Sequence, residues 1–235
     1  MRMRSKKIIP NKVAVFDIDG TVFRSSLTIE LTEELIEQGL FPPKARNIFN
    51  EEHHLWLERR GDYHDYIEKV VEAYTTFIRG VKLTDTMKVA ERVMLFHKNR
   101  VYRYTRELVE KYRESHFLLA ISHSPYHVVE PFAREWGFRK VYAPFLLVDK
   151  HGYFTGEIKD WEFMADKGKV FDRALRKENL TLTGSLGVGD SAPDAKFLSK
   201  VRRPIAFNPD SGLYRIARRN HWPIVVERKD VIYKI

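Results

Sequence analysis

The stretch Asp17-Ile18-Asp19-Gly20-Thr21, directly after the apolar run Val13-Ala14-Val15-Phe16, constrains this chain more than any other. An unbroken apolar run predicts a strand buried on both faces, the usual state of a parallel strand. Side chains alternate along an extended chain, so Asp17 and Asp19 leave the strand's carboxyl end on the same side. Gly20 permits a sharp turn, and Thr21 brings a hydroxyl and an N–H that can meet an anion. Two carboxylates on one side repel each other unless a cation lies between them, and a hard, oxygen-seeking ion such as Mg²⁺ suits such donors. A plain Asp- and Gly-rich turn after a strand is the other reading of the same residues.

At 235 residues the chain can bury a sizeable core, as one domain with an insertion or as two small domains. It contains no cysteine, which excludes disulfides, thiolate catalysis and Cys-ligated zinc. No apolar run approaches the ~20 residues that span a bilayer. Residues 1–12 are basic but lack the apolar stretch of a secretory signal, so a cytoplasmic location is expected. The net charge of +9 would suit a polyanion, yet the excess is scattered over residues 2–7, 59–60, 98–106, 202–203 and 215–219. No nucleic-acid motif accompanies it, and the expectation is a basic solvated surface without a nucleic-acid partner. A basic nucleic-acid-associated protein is the non-enzyme alternative.

Apolar residues recur at helical spacing over residues 27–39, 45–60, 63–79 and 84–98, with Thr84 or Asp85 as N-cap of the last. Residues 26–99 hold no convincing strand. They are rich in rings (His53, His54, Trp56, Tyr63, His64, Tyr66, Tyr74, Phe77), which are expected to pack this segment onto the rest. A helix follows over 102–114, then an apolar strand over 116–121 that ends at Ser122-His123-Ser124-Pro125. Residues 145–156 read as a hairpin with a Gly-containing turn. A helix begins at Lys167, a strand covers 186–189 before Asp190-Ser191-Ala192-Pro193-Asp194, and another covers 204–207 before Asn208. A helix over 211–219 and a last strand over 222–226 complete the alternation, which predicts a parallel α/β sheet.

Together these segments resemble the haloacid dehalogenase (HAD) superfamily. D-x-D-G-T at Asp17–Thr21 is similar to its first motif, and Ser122 at a strand end to its second, with Ser124 as the alternative. G-D-x-x-x-D at Asp190 and Asp194 is similar to the fourth. Lys167 lies 190 − 167 = 23 residues before Asp190, a spacing similar to that of phosphoserine-phosphatase-like members. Lys169 competes, but Val170 and Phe171 follow Lys167 as the helix's first core contacts. The ending A-F-N-P-D also resembles this subclass, IB, and places Asn208 near the site.

The resemblance implies a Rossmann-like parallel α/β core of residues 1–25 and 100–235, a hairpin flap near 145–158, and an inserted helical cap of residues 26–99. It implies a phosphatase in which Asp17 attacks phosphorus, Asp19 serves as acid and base, and Ser122 and Lys167 assist. Mg²⁺ would be held by Asp17, Asp190 and the Asp19 carbonyl, while Asp194 orients the metal's waters or Lys167. Gly20 and Thr21 would attend the phosphate, and His123 the leaving group. The expected partner is a small phosphorylated substrate. Phosphoserine phosphatases of this subclass carry an acidic residue where this chain has Ser26, which leaves an amine-free phosphomonoester beside phosphoserine as a candidate. A phosphotransferase using the same aspartyl-phosphate is the further alternative.

Overall fold

Strand β1 (Lys12–Phe16) is an interior strand of the sheet in this computed structural model, which describes residues 11–235. The basic cluster at residues 2–7 and the first part of the expected core segment lie outside the described residues. Along β1 the side chains divide by period two. Ala14 and Phe16 join one apolar core and Val13 and Val15 the other, so the continuous apolar run fills both faces.

After β1 the chain makes only helices until the next sheet strand: α1 (Leu27–Glu37), a 3₁₀ turn at Pro43–Ile48, α2 (Asn50–Leu57), α3 (Tyr63–Ile78), α4 (Leu83–His97) and α5 (Arg103–Tyr112). The sheet resumes with β2 (Phe117–Ile121), α6 (Tyr126–Glu135) and β3 (Lys140–Tyr142). A separate antiparallel pair follows, β4 (Leu146–Val148) and β5 (Phe154–Ile158), then α7 (Trp161–Met164) and α8 (Lys167–Lys177). The rest is β6 (Thr181–Gly189), a 3₁₀ turn at Ala192–Asp194, α9 (Ala195–Leu198), β7 (Arg203–Phe207), α10 (Ser211–Arg219), β8 (Ile224–Arg228) and β9 (Val231–Lys234).

The seven-stranded sheet runs β3-β2-β1-β6-β7-β8-β9, parallel throughout except for the last pair. From β1 the order proceeds one way to β2 and the other way to β6. The strand ends at β1 are therefore a topological switch point, where open α/β sheets leave a crevice for ligands. One core layer combines that face of the sheet with α1, α3, α4 and α6, so the helical segment shares an apolar interior with the sheet. The other layer packs α8, α9 and α10 against Val13, Val15, Leu119 and Ile121.

Several local expectations need correction. The helix expected over 45–60 is divided into the 3₁₀ turn and α2. α4 starts at Leu83 with Lys82 as its N-cap and no side-chain cap, so neither Thr84 nor Asp85 has that role. The reason is tertiary: Leu83 N–H already donates to Gly152 O at 2.9 Å. The β4–β5 hairpin thus braces the α3–α4 link, and Phe154 N–H donates to Val81 O at 2.9 Å. Ser124, the alternative to Ser122, precedes Pro125, the N-cap of α6. Its hydroxyl lies 2.7 Å from Thr28 Oγ1, tying α1 to the end of β2.

Candidate active site

The ladder continues one residue past β1, because Asp17 N–H donates to Val188 O at 3.0 Å. That bond fixes Asp17 at the strand end, where it is 3% exposed. Lys167, the first residue of α8, is equally buried. Its Nζ donates to Asp17 Oδ1 at 2.7 Å and to Asp194 Oδ1 at 2.6 Å. α8 is aimed this way by its N-cap Asp166, which accepts from Gly168 N at 3.0 Å and Lys169 N at 3.1 Å. Lys169 itself is exposed. Lys167 thus reaches the site from a helix start, whereas Asp17, Ser122 and Asp190 follow β1, β2 and β6.

Asp19 lies beside Asp17 but in different company. Its Oδ2 accepts from Ser122 Oγ at 2.8 Å, and its Oδ1 accepts from Leu27 N, at the start of α1, at 2.6 Å. Ser122 Oγ also accepts from Ser124 N at 2.9 Å, so the hydroxyl is fixed as a donor to Asp19. The Leu27 N–H is a partner the sequence reading missed. Ser26 carried the signal, since it is an N-cap type of residue and accepts from Thr28 N at 3.2 Å.

Asp194 holds the fourth segment together. Its Oδ2 accepts from Asp190 N and Ser191 N at 3.0 Å and from Ser191 Oγ at 3.1 Å. Gly189 makes room for it, because a Cβ there would sit 2.5 Å from Asp194 Cβ. Gly20 does the same for Asp190. At φ +72° it occupies the left-handed region, and a Cβ on it would lie 2.1 Å from Asp190 Oδ2. Thr21 is fully buried and its hydroxyl donates to Asp190 Oδ1 at 3.1 Å, while its N–H donates to Ile18 O at 3.3 Å. Both groups expected to meet an anion are therefore engaged inside the protein.

Carboxylate oxygens of Asp17, Asp190 and Asp194 lie within 4.8 Å of one another. Both Asp194 oxygens are occupied by hydrogen bonds, which makes Asp194 an orienting group and leaves Asp17 and Asp190 as the pair facing each other. Burial pushes Asp17 up to about 7, even though the Lys167 ammonium opposes it. Asp190 is raised by burial and by the charges of Asp17 and Asp194. Burial also raises Asp19, against the hydrogen bonds from Leu27 and Ser122. Burial disfavours the Lys167 ammonium, but Asp17 and Asp194 outweigh it and shift its pKa upward. An all-oxygen set with excess negative charge fits a hard divalent cation such as Mg²⁺.

Two outlying residues behave less simply. His123 is half-buried with its ring 6.2 Å from that of Trp161, and burial followed by the Lys167 charge pushes it down to about 4. Its Nε2 is buried without a hydrogen-bond partner among the described residues. Asn208 lies in the left-handed region at φ 43°, and its Oδ1 accepts from Glu227 N at 2.8 Å. It lines, with Gly20 and Asp190, a cleft of about 940 Å³ between the helical segment and the strand ends.

A family model for haloacid dehalogenase-like hydrolases matches residues 14–199. The chain is 28% identical over 219 residues to the inhibition of morphological differentiation protein of Streptomyces azureus, covering 92% of this chain and 79% of that one. It is 22% identical over 214 residues to a probable phosphatase of Mycobacterium tuberculosis, covering 90% of this chain and 74% of the relative. A substrate-bound phosphoserine phosphatase has a similar fold, with a TM-score of 0.62 at 17% identity over 95% of this chain and 96% of that one.

Proposed function

The chain belongs to the haloacid dehalogenase-like hydrolases, and on that premise we propose that it is a Mg²⁺-dependent phosphatase acting on a small phosphomonoester through an aspartyl-phosphate at Asp17. The observation that carries this reading is the unequal treatment of two neighbouring carboxyls. Asp17 faces a buried ammonium, whereas Asp19 faces a hydroxyl and a backbone N–H. The ammonium opposes the burial that favours a neutral Asp17 and so supports it as nucleophile, and the second arrangement holds a proton carrier in place. The probable phosphatase among the relatives supports the same class.

Mg²⁺ held by Asp17, Asp190 and the Asp19 carbonyl would supply positive charge that lets a phosphate dianion approach an anionic nucleophile. The remaining chemistry is in the chain's own side chains. Lys167 holds Asp17 Oδ1, which leaves Oδ2 to attack phosphorus as the bond to the alkoxide breaks. Asp19, raised by burial, gives its proton to that alkoxide. As a carboxylate it then takes a proton from water, whose oxygen attacks the phosphorus and releases the Asp17 carboxylate. Ser122 keeps Asp19 oriented throughout. Residues 26–99 act as the cap that closes the site from water.

Phosphoserine is disfavoured as substrate. Ser26, at the position of the subclass's ammonium-binding acid, is buried and engaged in capping α1. The test is phosphate release from a panel of phosphomonoesters, phosphoserine included, with Mg²⁺ and with chelator. Mg²⁺-dependent release supports the reading, and absence of release from every member rejects it.

A further inference from the structure

No side chain of helix α2 is fully buried, although Trp56 packs against the edge of the core. Its His53 and Trp56 line the cleft, together with Tyr63 and Tyr66 of α3. These rings form a layered wall. His53 stacks on Tyr66 at 4.7 Å and 17°, Trp56 on Tyr66 at 5.8 Å and 17°, and Tyr63 leans on Trp56 at 5.4 Å. Tyr102 and Tyr214 reach the same cleft from elements that flank the sheet. Tyr66 belongs to the core at 3% exposed, but the rings stacked over it stay open, with Trp56 half-buried and Tyr63 keeping 36% of its surface. Enclosure around the Tyr63 hydroxyl, and the charges of Asp19 and Asp190, push its pKa above the usual phenol value. Asp190 and Gly20 line the same cleft, so the wall shares it with one carboxylate of the site.

The charged residues of the cleft point the same way. Glu30 is paired with Arg100 at 2.7 Å and His97 at 3.3 Å, and Glu33 with Arg46 at 2.7 Å, so neither is a free acceptor for an ammonium. Arg24 and Arg59 are in no ion pair among the described residues. Their guanidinium groups lie over rings of the cleft, 5.7 Å from Tyr102 and 5.9 Å from Trp56. Planar cations stacked on rings extend a flat surface that also attracts phosphate oxygens. A volume of about 940 Å³ exceeds what an amino-alcohol phosphate needs and lies at the upper end of the ~300–1,000 Å³ typical of drug-sized ligands.

Resting on the reading of the site as a phosphomonoesterase, we propose that the substrate's non-reacting part carries a flat aromatic or heteroaromatic ring, which lies against Trp56 and Tyr63 while its phosphate reaches Asp17 and Asp190. Aromatic faces prefer other flat π-systems over saturated rings of equal size. The probes are 2-phenylethylphosphonate and 2-cyclohexylethylphosphonate, which match in size and cannot be hydrolysed, with binding followed calorimetrically on the Mg²⁺-loaded wild-type protein. The corresponding phosphate monoesters are assayed for turnover alongside. The expected result is a roughly tenfold lower Kd for the phenyl probe, and loss of that preference in Trp56→Leu and in Tyr63→Leu. Equal Kd values for the two probes on the wild-type protein overturn the inference, whatever the variants do. Hydrolysis of both esters with equal KM also rejects it while leaving the phosphatase reading intact. A phenyl preference in binding with no turnover of either ester supports the ring site and counts against the hydrolytic reading alone.

Discussion

Lys167 Nζ lies 2.7 Å from Asp17 Oδ1 across 150 positions of sequence, and both residues are buried. Asp194 closes the other side of the ammonium at 2.6 Å, so one cation sits between two enclosed carboxylates. Such a group cannot be removed singly without leaving buried charge uncompensated. Lys167→Met is expected to lower the unfolding free energy by about 3–5 kcal/mol, the usual cost of breaking a buried pair. Urea unfolding in chelator-containing buffer measures it. Adding Asp194→Asn should recover part of the loss, and a cost under about 1 kcal/mol in the single variant would contradict the pairing.

Asp17→Asn keeps the shape of the side chain and removes the nucleophile's charge. Turnover should vanish while the far-ultraviolet circular dichroism is retained. Substantial remaining activity would overturn the assignment of Asp17.

Gly20→Ala places a Cβ 2.1 Å from Asp190 Oδ2 at a backbone with φ +72°. The left-handed conformation alone costs a non-glycine residue about 1–2 kcal/mol. The displaced Asp190 should weaken Mg²⁺ binding more than stability, as read by calorimetric titration of the metal beside a thermal melt. An unchanged metal titration would show that Asp190 holds its place without Gly20.

The sheet and the carboxylates at its strand ends were legible because each is a local signal: an apolar run, then Asp, Gly or Ser at its end. β1, β2, β6 and β7 declare themselves in this way, and Asp17, Asp19, Ser122, Lys167 and Asp190 come together in space. Short edge elements were not legible. β3 has three residues and β9 pairs on one side only, so neither carries a long apolar pattern. The α4 start was misread because a distant hairpin, rather than a local side chain, satisfies its first amide. The Thr21–Asp190 hydrogen bond was invisible for a similar reason, since the two residues are 169 positions apart. The ring wall of α2 and α3 was visible as composition, but only the fold shows it bordering the cleft.

His127 offers a check on the α6 side of the core. Burial pushes it down from 6.5 to about 4, with Tyr74 Oη 3.3 Å from its Nε2. The unfolded chain then binds a proton that the folded one refuses between these values. Stability from this group is fully present above pH 6.5 and is lost as pH falls toward 4, at up to about 1.4 kcal/mol per pH unit. Replacing His127 with Gln should flatten that part of the profile, compared as wild-type minus variant melts at pH 7.5 and, one unit under the ordinary histidine value of ~6.5, near pH 5.5. An identical profile would place the titration elsewhere.

The most direct test of the account is to trap the covalent intermediate. The protein would be quenched in acid during turnover of a phosphomonoester that it hydrolyses, reduced with borohydride, and its peptides sequenced by mass spectrometry. Reduction converts an aspartyl-phosphate to homoserine, and the account predicts that change at Asp17, dependent on substrate and absent in Asp17→Asn. Turnover with no modified residue, or with the modification at Asp19 instead, would contradict it.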